Sequence, residues 1–197
     1  MVSTRPRGRP RAFDREAALD QAVRAFWEHG YEATSVADLT RVMGIGAPSL
    51  YAAFGDKRAL FAEVVDVYAA RYGAFGERAL AEEPTAAAAV ARLLREAAIE
   101  YADEAHPRGC LMISGAANCT TPEVRDALRA RREANVEAIR VRIAASVDAG
   151  ELPPDTDANA LARYVGAVIQ GMSQQSRDGA TREELSAIAE LALRAWP

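Results

Sequence analysis

Residues that favour α-helices dominate this chain from end to end, and this property restricts its fold more than any other. Alanine, leucine, glutamate and arginine prevail, β-branched residues are sparse, and no stretch sustains the apolar–polar alternation of a surface strand. Glycine and proline interrupt the helical pattern at intervals, as at residues 44–46 and 150–154. These breaks divide the chain into about nine helices without a fixed-period repeat. The sequence therefore predicts an all-α fold.

The first four helices are located by their capping residues and by the spacing of their apolar residues. An aspartate precedes the first helix, which we expect to end at Gly30. Thr34 or Ser35 caps the second helix. A short third helix spans residues 47–54, with proline in its tolerant first turn. The fourth is a long helix that continues to Tyr72.

Beyond Gly73 the pattern is that of a helical bundle. A break at residues 107–109 is followed by a short apolar helix over residues 110–118 and then by a longer helix with one apolar face. Thr181 and Glu184 are spaced as a capping box, which predicts the start of the last helix.

Composition restricts the class of protein. Half of the 197 residues are apolar and 26% are charged, as in a globular domain and unlike a disordered chain. No apolar run approaches the ~20 residues that span a bilayer, and no signal-peptide pattern opens the chain, so we expect a cytoplasmic location. The two cysteines, Cys110 and Cys119, are too few for a disulfide framework, and we expect both to be small buried residues.

Arginine occupies alternate positions at the start of an otherwise acidic chain. Residues 1–57 carry eight Lys/Arg against seven Asp/Glu, and residues 58–197 carry 16 against 21, so the basic end is suited to a polyanion. The motif "PRGRP" resembles the core of an AT-hook, in which arginines enter the minor groove of A·T-rich DNA. The alternative is a tail that attracts phosphates without reading the groove. The arginines concerned are Arg5, Arg7, Arg9 and Arg11.

The second and third helices match a helix-turn-helix. Both are short, a glycine turn joins them, and a longer helix precedes them. Leu50 and Phe54 lie four residues apart and can form the docked face of the third helix. Ser49, Tyr51 and Ala52 can then face outward toward a groove.

These residues resemble a known family. The segment "FDREAALDQAVRAFWEHGYEATSVADLTRVMGIGAPSLYAAFGDKRALF" is similar to the DNA-binding domain of the TetR family of transcriptional regulators, above all in "GYEATSV" and "MGIGAPSLYAAFGDKRALF". The resemblance implies three parts: a flexible basic arm over residues 1–12, a helix-turn-helix domain over 13–57, and an effector-binding and dimerisation domain over 58–197. It implies no cofactor.

The resemblance also assigns roles to individual residues. Thr34 and Ser35 would cap the second helix and touch phosphate, and Lys57 would bind the DNA backbone. Ala52 and Ala53 replace the larger side chains frequent in relatives, so the recognition helix is poor in groups that read bases. The other recognition-helix residues that would face DNA are Ala47, Pro48, Ser49 and Tyr51.

Two further sites are implied for the C-terminal domain. A small-molecule effector would bind inside it, and its last two helices would form a four-helix contact between two subunits. For each candidate pocket residue, a plain core position is the alternative, and for the last two helices the alternative is that they only close the bundle of the single subunit. The pocket candidates are Phe75, Tyr101, Cys110, Met112, Met172 and Gln175. The dimer-interface candidates are Leu161, Val165, Val168, Ile169, Ile188 and Leu191.

Together these features predict a homodimeric repressor that a small molecule releases from a palindromic operator. One alternative is an oxidant- or electrophile-responsive regulator, because Cys110 follows Arg108 and His106 at a helix start and could have a lowered pKa. Another is an architectural DNA binder that depends on the arm. An enzyme using Cys110 and His106 is a third class, but the sequence contains no metalloprotease, CxxC or phosphate-loop motif.

Overall fold

A computed structural model describes residues 13–197, and within them every regular element is helical, so the predicted all-α fold is confirmed. Ten α-helices are present in this part of the chain, one of them a single turn, with a π turn between the fourth and fifth. The predicted arm lies outside the described residues, with its arginines Arg5, Arg7, Arg9 and Arg11. The helices are α1 (Arg15–Ala33), α2 (Val36–Met43), α3 (Ala47–Phe54), α4 (Lys57–Tyr68), α5 (Ala74–Glu82), α6 (Ala86–Tyr101), α7 (Leu111–Ser114), α8 (Pro122–Asp148), α9 (Ala158–Arg177) and α10 (Arg182–Leu193).

Helices α1 to α4 form a unit that we call the head. The first helix breaks at Gly30 as predicted, because this residue adopts φ 77° and ψ 171°, a conformation that few residues other than glycine adopt. One further turn follows before α2. The backbone N–H of Tyr31 donates a hydrogen bond to the carbonyl of Gly115, 2.8 Å away, so the break attaches α1 to the rest of the molecule.

Helices α5 to α10 form the body. Helix α8 packs against α9, and α6 packs between α5 and α10. The single-turn helix α7 contacts both α1 and α4, which joins head and body in one continuous core. Tight packing of α9 against α8 depends on Gly166, where an added Cβ would lie 3.0 Å from the Cγ2 of Val136.

Two predicted boundaries were wrong. The fourth helix was predicted to continue to Tyr72, but α4 ends at Tyr68 and Ala69–Gly73 forms a π turn that leads directly into α5. Gly73 has φ −94° and ψ −15° and so continues the helix instead of stopping it. The helix predicted over residues 110–118 is reduced to the single turn Leu111–Ser114, followed by irregular turns.

Candidate DNA-binding surface and interior cavity

Helix α2 begins with a complete capping box. The Ser35 hydroxyl accepts a hydrogen bond from the backbone N–H of Asp38 (3.1 Å), and the Asp38 carboxylate accepts one from the backbone N–H of Ser35 (3.1 Å). The Ser35 hydroxyl and backbone, together with the Arg41 guanidinium, lower the pKa of Asp38 to about 2. Ser35 is exposed, and it holds the N-terminus of α2 at the protein surface.

Thr34 does not share this role, contrary to expectation. Only 1% of its surface is exposed, and its hydroxyl donates to the Gly30 carbonyl at 2.6 Å. In this position Thr34 satisfies a backbone acceptor freed by the break in α1, and it is not available to a phosphate. The prediction that Thr34 caps α2 and touches phosphate is therefore wrong for this conformation.

Helix α3 is anchored by one face and exposed on the other, as its spacing predicted. Leu50 and Phe54 are 0% and 6% exposed, whereas the Tyr51 side chain is 49% exposed. Pro48 and Ser49 are also exposed, and Ala47 is half-buried. The N-cap of α3 is Gly46, which has no side chain to bond the first amides of the helix. Pro48 has no N–H and the Ser49 N–H donates to the Gly46 carbonyl at 3.0 Å, so the Ala47 amide is the donor of the first turn that is left without a capping side chain.

Lys57 lies at the start of α4, beside the α1 break. Its ammonium is 4.2 Å from the centroid of the Tyr31 ring, a cation–π contact, and the residue is half-buried. Burial lowers the pKa of Lys57. The geometry therefore gives this lysine an intramolecular partner in addition to the DNA-backbone role predicted for it.

A cavity of about 290 Å³ lies between α4 of the head, the π turn and the body helices α5, α6, α7, α8 and α9, and its volume is near the small end of the range for ligand pockets. Four predicted residues line it: Phe75, Tyr101, Cys110 and Met112. Met172 and Gln175 do not, because Met172 is fully buried in the core and Gln175 faces outward from α9.

Three protic side chains meet in the wall of this cavity. The Cys110 thiol lies beside the hydroxyl groups of Tyr68 and Tyr101, and all three residues are buried. Burial raises the pKa of each of the three groups. The predicted lowering of the Cys110 pKa is thus wrong. Arg108 instead donates to the Ala180 carbonyl at 2.9 Å, and His106 packs elsewhere.

His106 lies at the joint between head and body. Its ring stacks on that of Trp27 in α1, with centroids 4.4 Å apart, and its Nε2 lies 3.2 Å from Glu100 Oε1. Trp27 also meets the Tyr68 ring edge-on at 4.7 Å. Tyr68, which lines the cavity, is therefore in direct ring contact with Trp27 of α1. Sequence reasoning missed Tyr68 and Trp27 because their apolar spacing is that of ordinary core residues.

The residues predicted for the dimer interface divide into three groups. Leu191 is 57% exposed on α10, and Leu161, Val168 and Ile188 are half-buried. Val165 is only 1% exposed within the single chain and so cannot form an outer surface, and Ile169 lines the cavity. The assignment of Val165 was wrong, since its side chain is buried on the inner face of α9, whereas Ile169 is half-buried and its place in the interface stays a prediction.

The outer face of α9 consists of other residues. Tyr164 is 38% exposed, and an added Cβ at Gly171 would meet no atom within 4 Å.

Within residues 13–197, no helix is both long enough and apolar enough to cross a lipid bilayer.

Comparison with known proteins follows the same division into head and body. The family model described as "Bacterial regulatory proteins, tetR family" matches residues 18–64, and the model "Tetracyclin repressor-like, C-terminal domain" matches residues 70–190. The chain is 41% identical over 197 residues to the HTH-type transcriptional repressor ComR of Escherichia coli K12, covering 97% of this chain and 92% of ComR. It is 31% identical over 185 residues to the repressor BdcR of the same organism, covering 94% and 90%.

Solved structures agree with this assignment. A cysteine mutant of the TetR family transcriptional regulator CifR, complexed with 26bp double-strand operator DNA, is 43% identical and has a TM-score of 0.90, covering 96% of this chain and 100% of that one. A TetR transcriptional regulator from Rhodococcus sp. RHA1 is 40% identical with a TM-score of 0.65, covering 93% and 99%. With an exposed, anchored α3 after a capped α2, the chain belongs to the TetR family of bacterial regulatory proteins.

Proposed function

We propose that this chain is a homodimeric transcriptional repressor that binds operator DNA through α2 and α3 and releases it when a small molecule occupies the body. The observation that carries the proposal is the outward face of α3. Pro48, Ser49 and Tyr51 are exposed there, while Leu50 and Phe54 hold the helix in place. The similarity to ComR and to operator-bound CifR supports the same conclusion.

The surface around α3 contains several groups suited to a nucleic acid. The Ala47 amide at the start of α3 and the exposed hydroxyl of Ser35 are potential phosphate ligands. The side chain of Arg41, 71% exposed, adds a positive charge that sequence reasoning did not single out. The arm over residues 1–12 would supplement a recognition helix that is poor in base-reading groups.

The cavity offers a route from ligand to DNA. Tyr68 lines the cavity from the last turn of α4, and its ring contacts Trp27 in α1. A ligand that displaces Tyr68 would shift the packing between α4 and α1, and α3 is packed against α4. Because a ligand shifts an equilibrium only through differential affinity, the DNA-bound form must have the less favourable cavity.

Operator binding tests the first part of this proposal. Fluorescence anisotropy would compare a duplex from upstream of the gene with a scrambled duplex across a salt series. Tyr51→Ala should lose ~1–3 kcal/mol of operator binding and much less on the scrambled duplex, because an exposed base-reading contact is removed. Ile99→Ala, which truncates a side chain 43% exposed on α6, is the matched control and should bind as the wild type.

Removal of residues 1–11 tests the arm in the same assay. The salt slope should fall by about 0.9 for each phosphate that the arm neutralises, with the largest loss of affinity at A·T-rich flanks if the arginines read the groove. Equal, weak binding of the intact protein to both duplexes would contradict a specific repressor and support the architectural alternative.

Two glycines of α9 test the dimer. Gly171→Leu adds a side chain where the single chain has open space, so it should leave the fold intact and shift the protein from dimer to monomer in light scattering. Gly166→Ala places its Cβ 3.0 Å from Val136 and should lower stability without changing the subunit number. A Gly171→Leu protein that remains fully dimeric would exclude this face of α9 from the interface.

A further inference from the structure

The cavity in the body differs sharply in chemistry between its interior and its mouth. Apolar side chains form most of the interior walls, among them Phe75, Leu93, Val136 and Ile139. The hydroxyls of Tyr68 and Tyr101 and the thiol of Cys110 are buried polar groups beside these walls, whereas the amides of Asn135 and Gln170 line the cavity from exposed positions. A ligand that fills this space must therefore be mainly apolar, with a small polar part that meets these hydroxyls.

The charged residues that line the described cavity are Glu77, Arg131 and Arg132. Glu77 and Arg131 are exposed, and Arg131 is paired with Asp66. Arg132 donates to the carbonyl oxygen of Met112 at 2.7 Å. The Arg132 side chain is half-buried and forms no ion pair with a carboxylate of the described residues, so a charge does border the α8 side of the cavity. The lining beside Tyr68 and Tyr101 contains no charged side chain, and burial of an unpaired charge there costs far more than burial of a neutral group.

The two phenols give the interior its hydrogen-bonding character. Tyr68 and Tyr101 are 1% and 3% exposed, and burial raises the pKa of both, so each keeps its O–H as a donor. Their neighbour, the Cys110 thiol, is a weak acceptor. A carbonyl or ether oxygen in the same place would be a stronger acceptor for two donors that otherwise have a poor partner.

From these contacts we infer that the effector is an uncharged, mainly apolar small molecule whose hydrogen-bond-accepting oxygen binds the hydroxyls of Tyr68 and Tyr101. The inference rests on the proposed function, because it names the ligand class for the cavity assigned there. It also specifies the orientation: the oxygen points toward α4 and α6, and the apolar part extends toward α8. The oxygen then binds the residue, Tyr68, that contacts Trp27 of the head.

Calorimetric titration of the full-length protein tests the ligand class with three matched probes. Benzylacetone is a neutral methyl ketone, hydrocinnamate replaces its acetyl methyl by a carboxylate oxygen, and phenylpropylammonium carries a positive charge instead. We expect the ketone to bind at least about tenfold more tightly than either ion, because the lining beside Tyr68 and Tyr101 does not compensate a charge. Equal or tighter binding of an ion, through Arg132 or otherwise, would overturn the inference, as would the failure of the ketone to bind.

Substitution of the tyrosines tests the orientation. Tyr68→Phe and Tyr101→Phe should each weaken ketone binding about fivefold, since each removes one hydrogen bond while keeping the ring. Tyr72→Phe is the matched control, because Tyr72 belongs to the same aromatic cluster but does not line the cavity. Unchanged ketone affinity in both cavity variants would overturn the assignment. The comparison of the three probes on wild-type protein decides the ligand class even if a variant fails to fold.

Operator anisotropy in the same samples separates the ligand class from the repressor function. Selective operator binding without ketone binding would reject the ligand class and leave the repressor standing. Loss of any preference for the operator would reject the repressor, whatever the ketone does.

Discussion

The head and the body are both helical, but they are filled in different ways. In the head, aromatic rings pack edge to face around α1 and α4: Phe26 lies 5.0 Å and Tyr31 5.1 Å from the Phe61 ring, between centroids. The body instead leaves a cavity of about 290 Å³ between its helices. A filled core has few alternative arrangements, whereas a cavity wall can change. The difference suits a DNA-reading unit that keeps its shape and a body that responds to a ligand.

The largest expected effect on stability comes from a substitution that creates a cavity in the closely packed core of the head. Phe26 is fully buried, so Phe26→Ala should lower the free energy of unfolding by ~3–5 kcal/mol. Leu93→Ala truncates a side chain that already borders the cavity and should cost only about 2 kcal/mol, since fewer atoms surround that side chain. Urea unfolding at fixed protein concentration measures both. Equal losses of stability would remove the contrast between head and body.

A smaller effect is expected at the start of α2. Ser35→Ala removes the capping hydroxyl and should cost ~1 kcal/mol of stability, with a parallel loss of operator affinity. Ser186→Ala is the control, because that hydroxyl donates to the Arg182 carbonyl within α10 and caps nothing. An effect of Ser186→Ala as large as that of Ser35→Ala would indicate that serine removal in general, and not capping, is responsible.

Lowering the pH should remove the hydrogen bonds that the Asp38 carboxylate accepts in the same capping box. The folded pKa of Asp38 is about 2, below its unfolded value, so its contribution is present above about pH 4 and disappears as the pH falls toward about 2. The free energy of unfolding should therefore fall less between about pH 4 and about pH 2 in Asp38→Asn than in the wild type. An equal fall in the two proteins would show that the Asp38 interactions do not stabilise the head.

The smallest effect concerns the joint between the two units. Burial lowers the pKa of His106, but Glu100, the Pro107 carbonyl and Asp103 outweigh burial, and the net shift is upward. A raised folded pKa means that the contribution is complete below about pH 6.5 and is lost as the pH rises through the folded value. Thermal unfolding from about pH 6 to about pH 9 should show this decline in the wild type.

His106→Phe keeps a ring against Trp27 and removes the titrating group, so its unfolding midpoint should decline less over the same range. His29→Phe is the control, because His29 is exposed near the end of α1. A decline of equal size in wild type and His106→Phe would assign the pH dependence to other groups.

The head was the more predictable of the two units. Its caps, its glycine turn and the four-residue spacing of Leu50 and Phe54 are local signals, and each is satisfied by residues close in sequence. Thr34 was the exception. Whether Thr34 or Ser35 forms the cap depends on the break at Gly30, which leaves a carbonyl for the Thr34 hydroxyl to bind.

The body was predictable as a helical bundle but not in all its helix boundaries or in its interior. Phe75, Tyr101, Cys110 and Met112 were expected in the pocket and line it, whereas Met172 and Gln175 do not. All six are compatible with a pocket by residue type. Their membership depends on how α8, α9 and the π turn are rotated about their axes, and no local pattern specifies that rotation.

By itself the sequence determined the all-α fold, the helix-turn-helix and the docked face of α3, because these depend on interactions between residues a few positions apart. Only the tertiary structure decided that Val165 is buried and Ile169 lines the cavity, that burial raises the pKa of Cys110, and that His106 packs against Trp27. Each of these joins residues distant in the chain. Burial and contact between such residues arise from the packing of whole helices, which fixes their surroundings only when the core is complete.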